Sequence, residues 1–165
     1  MGNTIFLKTL QNHFNISFSM LEKIIEICPE ELWNKKKSAF VFWQQLFHTL
    51  SGMLFWFSDG SADFTEPFRD KNVFPELDHD PETMLAKDDI MKCCIEAKEA
   101  SEKWFAGKDD EWLKLTSKIY DKLTNLDIIT MQIRHIMYHI GHCEAIFRDN
   151  GIETGEYLDY MGKDS

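Results

Sequence analysis

Along most of this chain apolar residues recur at spacings of three and four, the period of a helix that buries one face. The first run includes Phe6, Leu10, Phe14, Phe18, Leu21 and Ile25, and predicts a helix from about Thr4 to Ile27. Pro29 stops it, because the residue before a proline avoids helical geometry. A second and more apolar helix is predicted over about Ser38 to Phe57. A third, from about Leu85 to Ala106, ends at Gly107, which readily takes the left-handed conformation of a helix C-terminus. Asp109 can cap a shorter piece from Asp110 to about Leu123. The last helix is predicted from about Leu126 to Asp149, with Asn150–Gly151 as its stop.

The segment from Ser58 to Thr83 breaks the period. It carries Gly60, Pro67, Pro75 and Pro81 among many acids, and reads as an irregular connection. A connection this long inside a compact domain is usually a lid or a binding segment. Its Phe64, Phe68, Phe74 and Leu77 predict that it packs down on the helices. Tyr157, Leu158 and Tyr160 in the tail after Ile152 are placed to fold back. No run alternates apolar and polar residues as a strand would, and there is no internal repeat. The expectation is an all-α fold in one domain over 1–165. It is a four-helix bundle with a long irregular connection between helices two and three.

Composition narrows the function. The 165 residues are 44% hydrophobic, enough to build a real core, and thirteen Phe and five Trp predict a core or cavity wall of large rings. The formal net charge is 18 − 28 = −10. Nucleic acid is excluded as a main partner on this ground, because phosphate binding needs a concentrated Lys/Arg surface. The one basic run, Lys35–Lys36–Lys37, reads as a solvated turn. The first residues lack the basic and apolar regions of a signal peptide, and Phe6 stands where a myristoylation motif has Ser or Thr. The longest apolar stretch, Ala39 to Phe57, is interrupted by Gln44, Gln45, His48, Thr49 and Ser51, which is too polar to span a bilayer. The expected location is cytoplasmic, without membrane association. Cys28, Cys93, Cys94 and Cys143 are then reduced, buried thiols rather than disulfide partners.

The histidines carry the chemistry. Six are present, and three crowd into Arg134-His135-Ile-Met-Tyr-His139-Ile-Gly-His142. At about 100° per residue, His135 and His139 differ by about 40° and His142 returns to within about 20° of His135. The i, i+4 pair is the spacing by which one helix gives two imidazoles to a single metal ion. His48, midway along the most apolar helix, is the candidate third ligand. Burying its imidazole costs free energy unless both ring nitrogens find partners, and a metal on one with a hydrogen bond on the other would satisfy it. A lone histidine on an apolar face is more often a hydrogen-bonded core residue; the pair together with His48 favours a metal. His13 and His79 read as surface residues.

Trp-Gln-Gln-Leu-Phe-His48-Thr-Leu-Ser-Gly on the second helix, together with Gln132-Ile-Arg134-His135-Ile-Met-Tyr-His139-Ile-Gly141-His142 on the last, resembles the DinB-like superfamily. That group includes bacillithiol transferases and mycothiol-dependent isomerases. The resemblance implies a four-helix bundle holding a divalent ion, zinc or nickel first among candidates, through His48, His135 and His139. Many relatives have a double histidine after this motif where this chain has His142-Cys143, which leaves open whether either residue joins the site. Gly141 is expected to allow close approach of a helix or ligand. The thiol-transferase relatives imply a small-molecule substrate, with a low-molecular-weight thiol activated as a metal-bound thiolate. The expected function is a metal-dependent transferase or hydrolase-like enzyme, with Trp43, Phe47, Phe55 and Trp56 walling an apolar pocket. The alternative is a non-catalytic ligand-binding or stress-related interaction protein on the same fold. A homodimer is plausible for such bundles. No general base stands out, since Glu144 and Arg134 both lie off the histidine stripe.

Overall fold

The computed structural model describes residues 2–37, 39–58, 60 and 64–159. Its architecture is mostly helical. The elements in chain order are α1 (Ile5–Ile27), α2 (Glu30–Trp33), a minimal hairpin of β1 (Lys36–Lys37) and β2 (Phe40–Val41), α3 (Phe42–Trp56), α4 (Lys87–Phe105), α5 (Asp110–Leu113) and α6 (Asn125–Asp149). The four long helices are those that periodicity predicts. Helix α1 packs along α6 and α4, and α3 packs along the same two neighbours. The core lies between them. Leu21 and Ile25 of α1, Leu46 and Leu50 of α3, Ile90 of α4, and Ile129 and Ile136 of α6 are all fully buried. Each such side chain contributes about 1.5–3 kcal/mol by leaving water. Large rings fill the ends: Phe42 stacks on Phe147 at 5.3 Å, and Phe14 meets the edge of Phe57 at 5.3 Å.

Two boundaries differ from expectation by more than two residues. Helix α3 starts at Phe42, four residues later than predicted; Ser38 itself lies outside the described residues. The preceding residues pair as a hairpin with Lys36 opposite Val41 and Lys37 opposite Phe40, an element too short to leave an alternation in the sequence. The Gln44 side chain then receives the Val41 N–H at 2.9 Å, which satisfies a donor at the helix start. The predicted helix from Asp110 to Leu123 is helical only to Leu113. Asp109 caps it as expected, accepting from the Trp112 N–H at 3.1 Å, but the chain then turns back in a Thr116–Thr124 bridge. Helix α6 begins at Asn125, where Thr124 and Asp127 exchange hydrogen bonds: the Thr124 N–H donates to the Asp127 carboxylate at 2.8 Å and the Asp127 N–H to the Thr124 hydroxyl at 3.2 Å.

The long connection does pack down. Phe68 lies against Phe47 at 5.7 Å, and Phe64 meets the edge of Phe55 at 5.5 Å. Phe74 stays at the surface, 36% exposed. Phe68 has φ 60°, a left-handed conformation that costs a bulky residue about 1–3 kcal/mol. Burial of its ring against the core offsets that strain. Two ion pairs reach from this connection to the rest of the fold: Lys36–Asp80 at 2.6 Å and Lys71–Asp89 at 3.5 Å. Both are solvated and worth little. At the far end of the connection the Trp33 indole N–H donates to the Leu85 carbonyl at 2.8 Å, with both residues buried. In the tail Leu158 packs on the core while Tyr157 is exposed, and Tyr160 lies outside the described residues. No helix among the described residues is long and apolar enough to cross a membrane.

Trp33→Phe keeps an aromatic ring but a smaller one, and removes the donor, stranding a buried carbonyl. The expected loss is about 1–3 kcal/mol, read as a lower urea midpoint at unchanged slope.

Candidate metal centre

Helices α3 and α6 pack against each other, and three imidazoles meet in their interface. His48 comes from α3, and His135 and His139 from successive turns of α6. Their ring centroids form a nearly equilateral triangle: 4.9 Å from His48 to His135, 5.0 Å from His48 to His139 and 4.8 Å from His135 to His139. One ring nitrogen of each lies within 4.8 Å of the other two. His139 is buried, and the other two are half-buried.

Hydrogen bonds orient the set. The Nδ1–H of His48 donates to the Pro75 carbonyl at 2.8 Å, since a carbonyl oxygen can only accept. That leaves His48 Nε2 to face His135 Nε2, 3.0 Å away. His139 Nδ1 is buried with no hydrogen-bond partner at all. An imidazole nitrogen in that state carries a desolvation cost.

Electrostatics favour neutral rings. Burial, and then the neighbouring His48, lowers the pKa of His135 to about 4. Burial, followed by His135, His48 and His142, lowers that of His139 to about 3. Metals bind the neutral imidazole, so these two rings stand ready as ligands at any pH above the acid range. The donor set therefore fits a divalent ion: three nitrogen donors on two packed elements, one already oriented by a carbonyl behind it and one lacking any other partner.

Other predicted participants fall elsewhere. The group of His48, His135 and His139 has no fourth His, Cys, Asp or Glu member among the described residues. His142 instead meets the Phe40 ring at 5.5 Å. Cys143 is fully buried in the core, and burial raises its thiol pKa well above the ordinary range. Gly141 does not serve close approach, because a side chain there would meet nothing within 4 Å. Gly52 does, one turn along α3 from His48: a Cβ there would lie 3.4 Å from the His135 ring. Only the Gly in the motif after His48 hinted at this. Glu144 pairs with Arg148 at 2.8 Å, and Arg134 is exposed, so both point away from the imidazoles as the helical angles require. His79 is exposed beside Asp78, and His13 is exposed, as read from the sequence.

A cavity of about 200 Å³ opens beside His48. Its walls are Ser51, Gly52 and Phe55 from α3, and Phe64, Glu66, Pro75 and Glu76 from the long connection. Of the four aromatics expected to wall it, only Phe55 does. Trp43 and Phe47 are wholly buried in the core, and Trp56 lines a different cavity. The sequence missed Phe64, Glu66 and Glu76, because nothing local says where an irregular segment folds back. Gln44 also anchors that segment, donating to the His79 carbonyl at 2.8 Å. Comparison with family models, with curated proteins and with solved structures finds no match to this chain.

Two outcomes follow. Because His135 and His139 have pKa values near 4 and 3 in the fold against 6.5 when solvated, the unfolded chain binds more protons between those limits. Stability of the metal-free protein is thus fully retained above about pH 6.5 and falls as the pH drops toward 4, a slope that His139→Gln should flatten in urea titrations at stepped pH. Gly52→Val crowds the His135 ring and should weaken metal affinity by about 10- to 100-fold, measured by competition with a chromophoric chelator.

Proposed function

We propose that this chain is a divalent-metal protein of the DinB-like kind, built as a four-helix bundle from α1, α3, α4 and α6, and that its metal centre activates a small thiol or a water against an electrophilic small molecule. The observation that carries this reading is the cluster of His48, His135 and His139, with a buried His139 nitrogen that has no partner of its own. A divalent ion bound there would supply the Lewis acidity that lowers the pKa of a thiol or water toward neutrality.

The surrounding residues support a reactive rather than a closed site. His48 lines a cavity, so the centre has a face turned toward solvent. Phe55 and Phe64 give that cavity an apolar wall against which an electrophile can rest. Ser51, Glu66 and Glu76 are its polar groups. Glu66 and Glu76 are the carboxylates able to take a proton there, and Glu66 is held by Arg69 at 2.9 Å. Pro75 keeps the His48 ring turned with its Nδ1–H engaged, so the opposite nitrogen stays available.

A thiol in this reaction would have to arrive as substrate. Cys28, Cys93 and Cys94 are buried, and desolvation pushes each pKa up to about 12. Cys143 is buried and shifted in the same direction. None of these is a thiolate at neutral pH, and none belongs to the histidine cluster.

Metal content of untagged protein tests the reading. About one equivalent of a single divalent ion is expected, lost in His48→Ala and in His139→Ala. The cobalt-loaded protein should change its visible spectrum on addition of a small thiol. Protein that takes up no zinc, nickel or manganese would overturn the proposal; metal uptake without a spectral response would retain the ion and reject the thiol.

A further inference from the structure

A second cavity, of about 460 Å³, lies two helical turns along α3 from His48, between the C-terminal ends of α3 and α4 and the turn-rich segment after α5. Its wall differs in kind from that of the metal centre. Three of the five tryptophans line it, Trp56, Trp104 and Trp112, and all three are half-buried. The other two, Trp33 and Trp43, are sealed in the core. Trp104 and Trp112 stand edge to face with centroids 4.4 Å apart, and Phe57 extends the aromatic surface 4.9 Å from Trp104.

Lys103, Lys108 and Lys118 complete the wall, and no carboxylate among the described residues lines it. Lys108 sits 5.8 Å over the Trp112 ring, while Lys103 has only a marginal contact with Glu99 at 4.0 Å. In a chain of net charge −10, three ammonium groups around an aromatic cavity run against the average. The cavity beside His48 shows the opposite, with Glu66 and Glu76 in its wall. Rings left half-open to water retain apolar area that a planar ligand would cover. Their indole N–H groups and the lysine ammonium groups are donors only, so the matching ligand brings acceptors and negative charge. The volume falls within the range of small-molecule sites.

We propose that this cavity binds a small aromatic anion, a planar ring carrying a carboxylate or sulfonate, at a site separate from the metal centre. The ring would lie among Trp56, Trp104 and Trp112, with its charge toward Lys108 and Lys118.

The experiment is an NMR titration of the five indole N–H signals with indole-3-acetate and, separately, with the uncharged indole-3-acetamide. The acid is expected to shift the signals of Trp56, Trp104 and Trp112 in a saturable way and leave Trp33 and Trp43 in place, with the amide binding about tenfold more weakly. Lys108→Gln with Lys118→Gln should weaken the acid by about three- to tenfold and leave the amide unchanged. His48→Ala should bind the acid as the parent does, which keeps this result independent of the metal reading. Acid and amide binding equally, or no saturable shift, would overturn the proposal. So would loss of acid binding in His48→Ala with the lysine variant unaffected, since that places the ligand at the metal centre.

Discussion

Burying an imidazole is costly unless both of its nitrogens are satisfied, and the interface of α3 and α6 gathers three such rings, one buried and two half-buried. That constraint ties the parts of this fold to one another. His48 can face His135 at 3.0 Å only if the two helices pack in one register. The same ring is turned correctly only if the long connection returns far enough to place the Pro75 carbonyl behind it. Gly52 keeps the space next to His135 open. Of the three imidazoles, His139 is the one with a buried nitrogen that no protein group reaches. The metal reading rests on the convergence of the three imidazoles.

The long connection is thereby part of the site, although it has almost no regular structure. Gln44 and His48, one turn apart on α3, donate to two of its carbonyls, at His79 and Pro75. Phe68 accepts an unfavourable backbone conformation to put its ring on Phe47. The carboxylates that line the cavity beside His48, Glu66 and Glu76, come from this segment, so substrate discrimination at the proposed site would depend on it more than on the helices.

Charge is distributed unevenly over the molecule. Acids collect along the connection and in the cavity beside His48, whereas the neighbouring tryptophan cavity at the C-terminal end of α3 is bordered by lysines. Net charge alone hides this contrast. An acidic chain can still present a local surface that attracts anions, because short-range contacts and the low dielectric of an aromatic wall outweigh a distant, screened average.

The sequence by itself determined the long helices, their approximate limits and the pairing of His135 with His139. Each of these depends on neighbours three or four residues apart on a single helix, so the period alone reveals them. His48 was legible as a candidate because an imidazole in the middle of an apolar helix needs a reason to be there. Tertiary structure alone decided that His48 meets the α6 pair, that His142 and Cys143 turn elsewhere, and that Gly52 rather than Gly141 makes the close approach. It also decided which aromatics line cavities: Trp43 and Phe47 went to the core, while Phe64 arrived from a segment with no period to read. The short hairpin before α3 and the early end of α5 were likewise settled by hydrogen bonds and packing between chain segments. A sequence pattern reports which residues share a face of one element, and the partner of that face is fixed only when the elements pack.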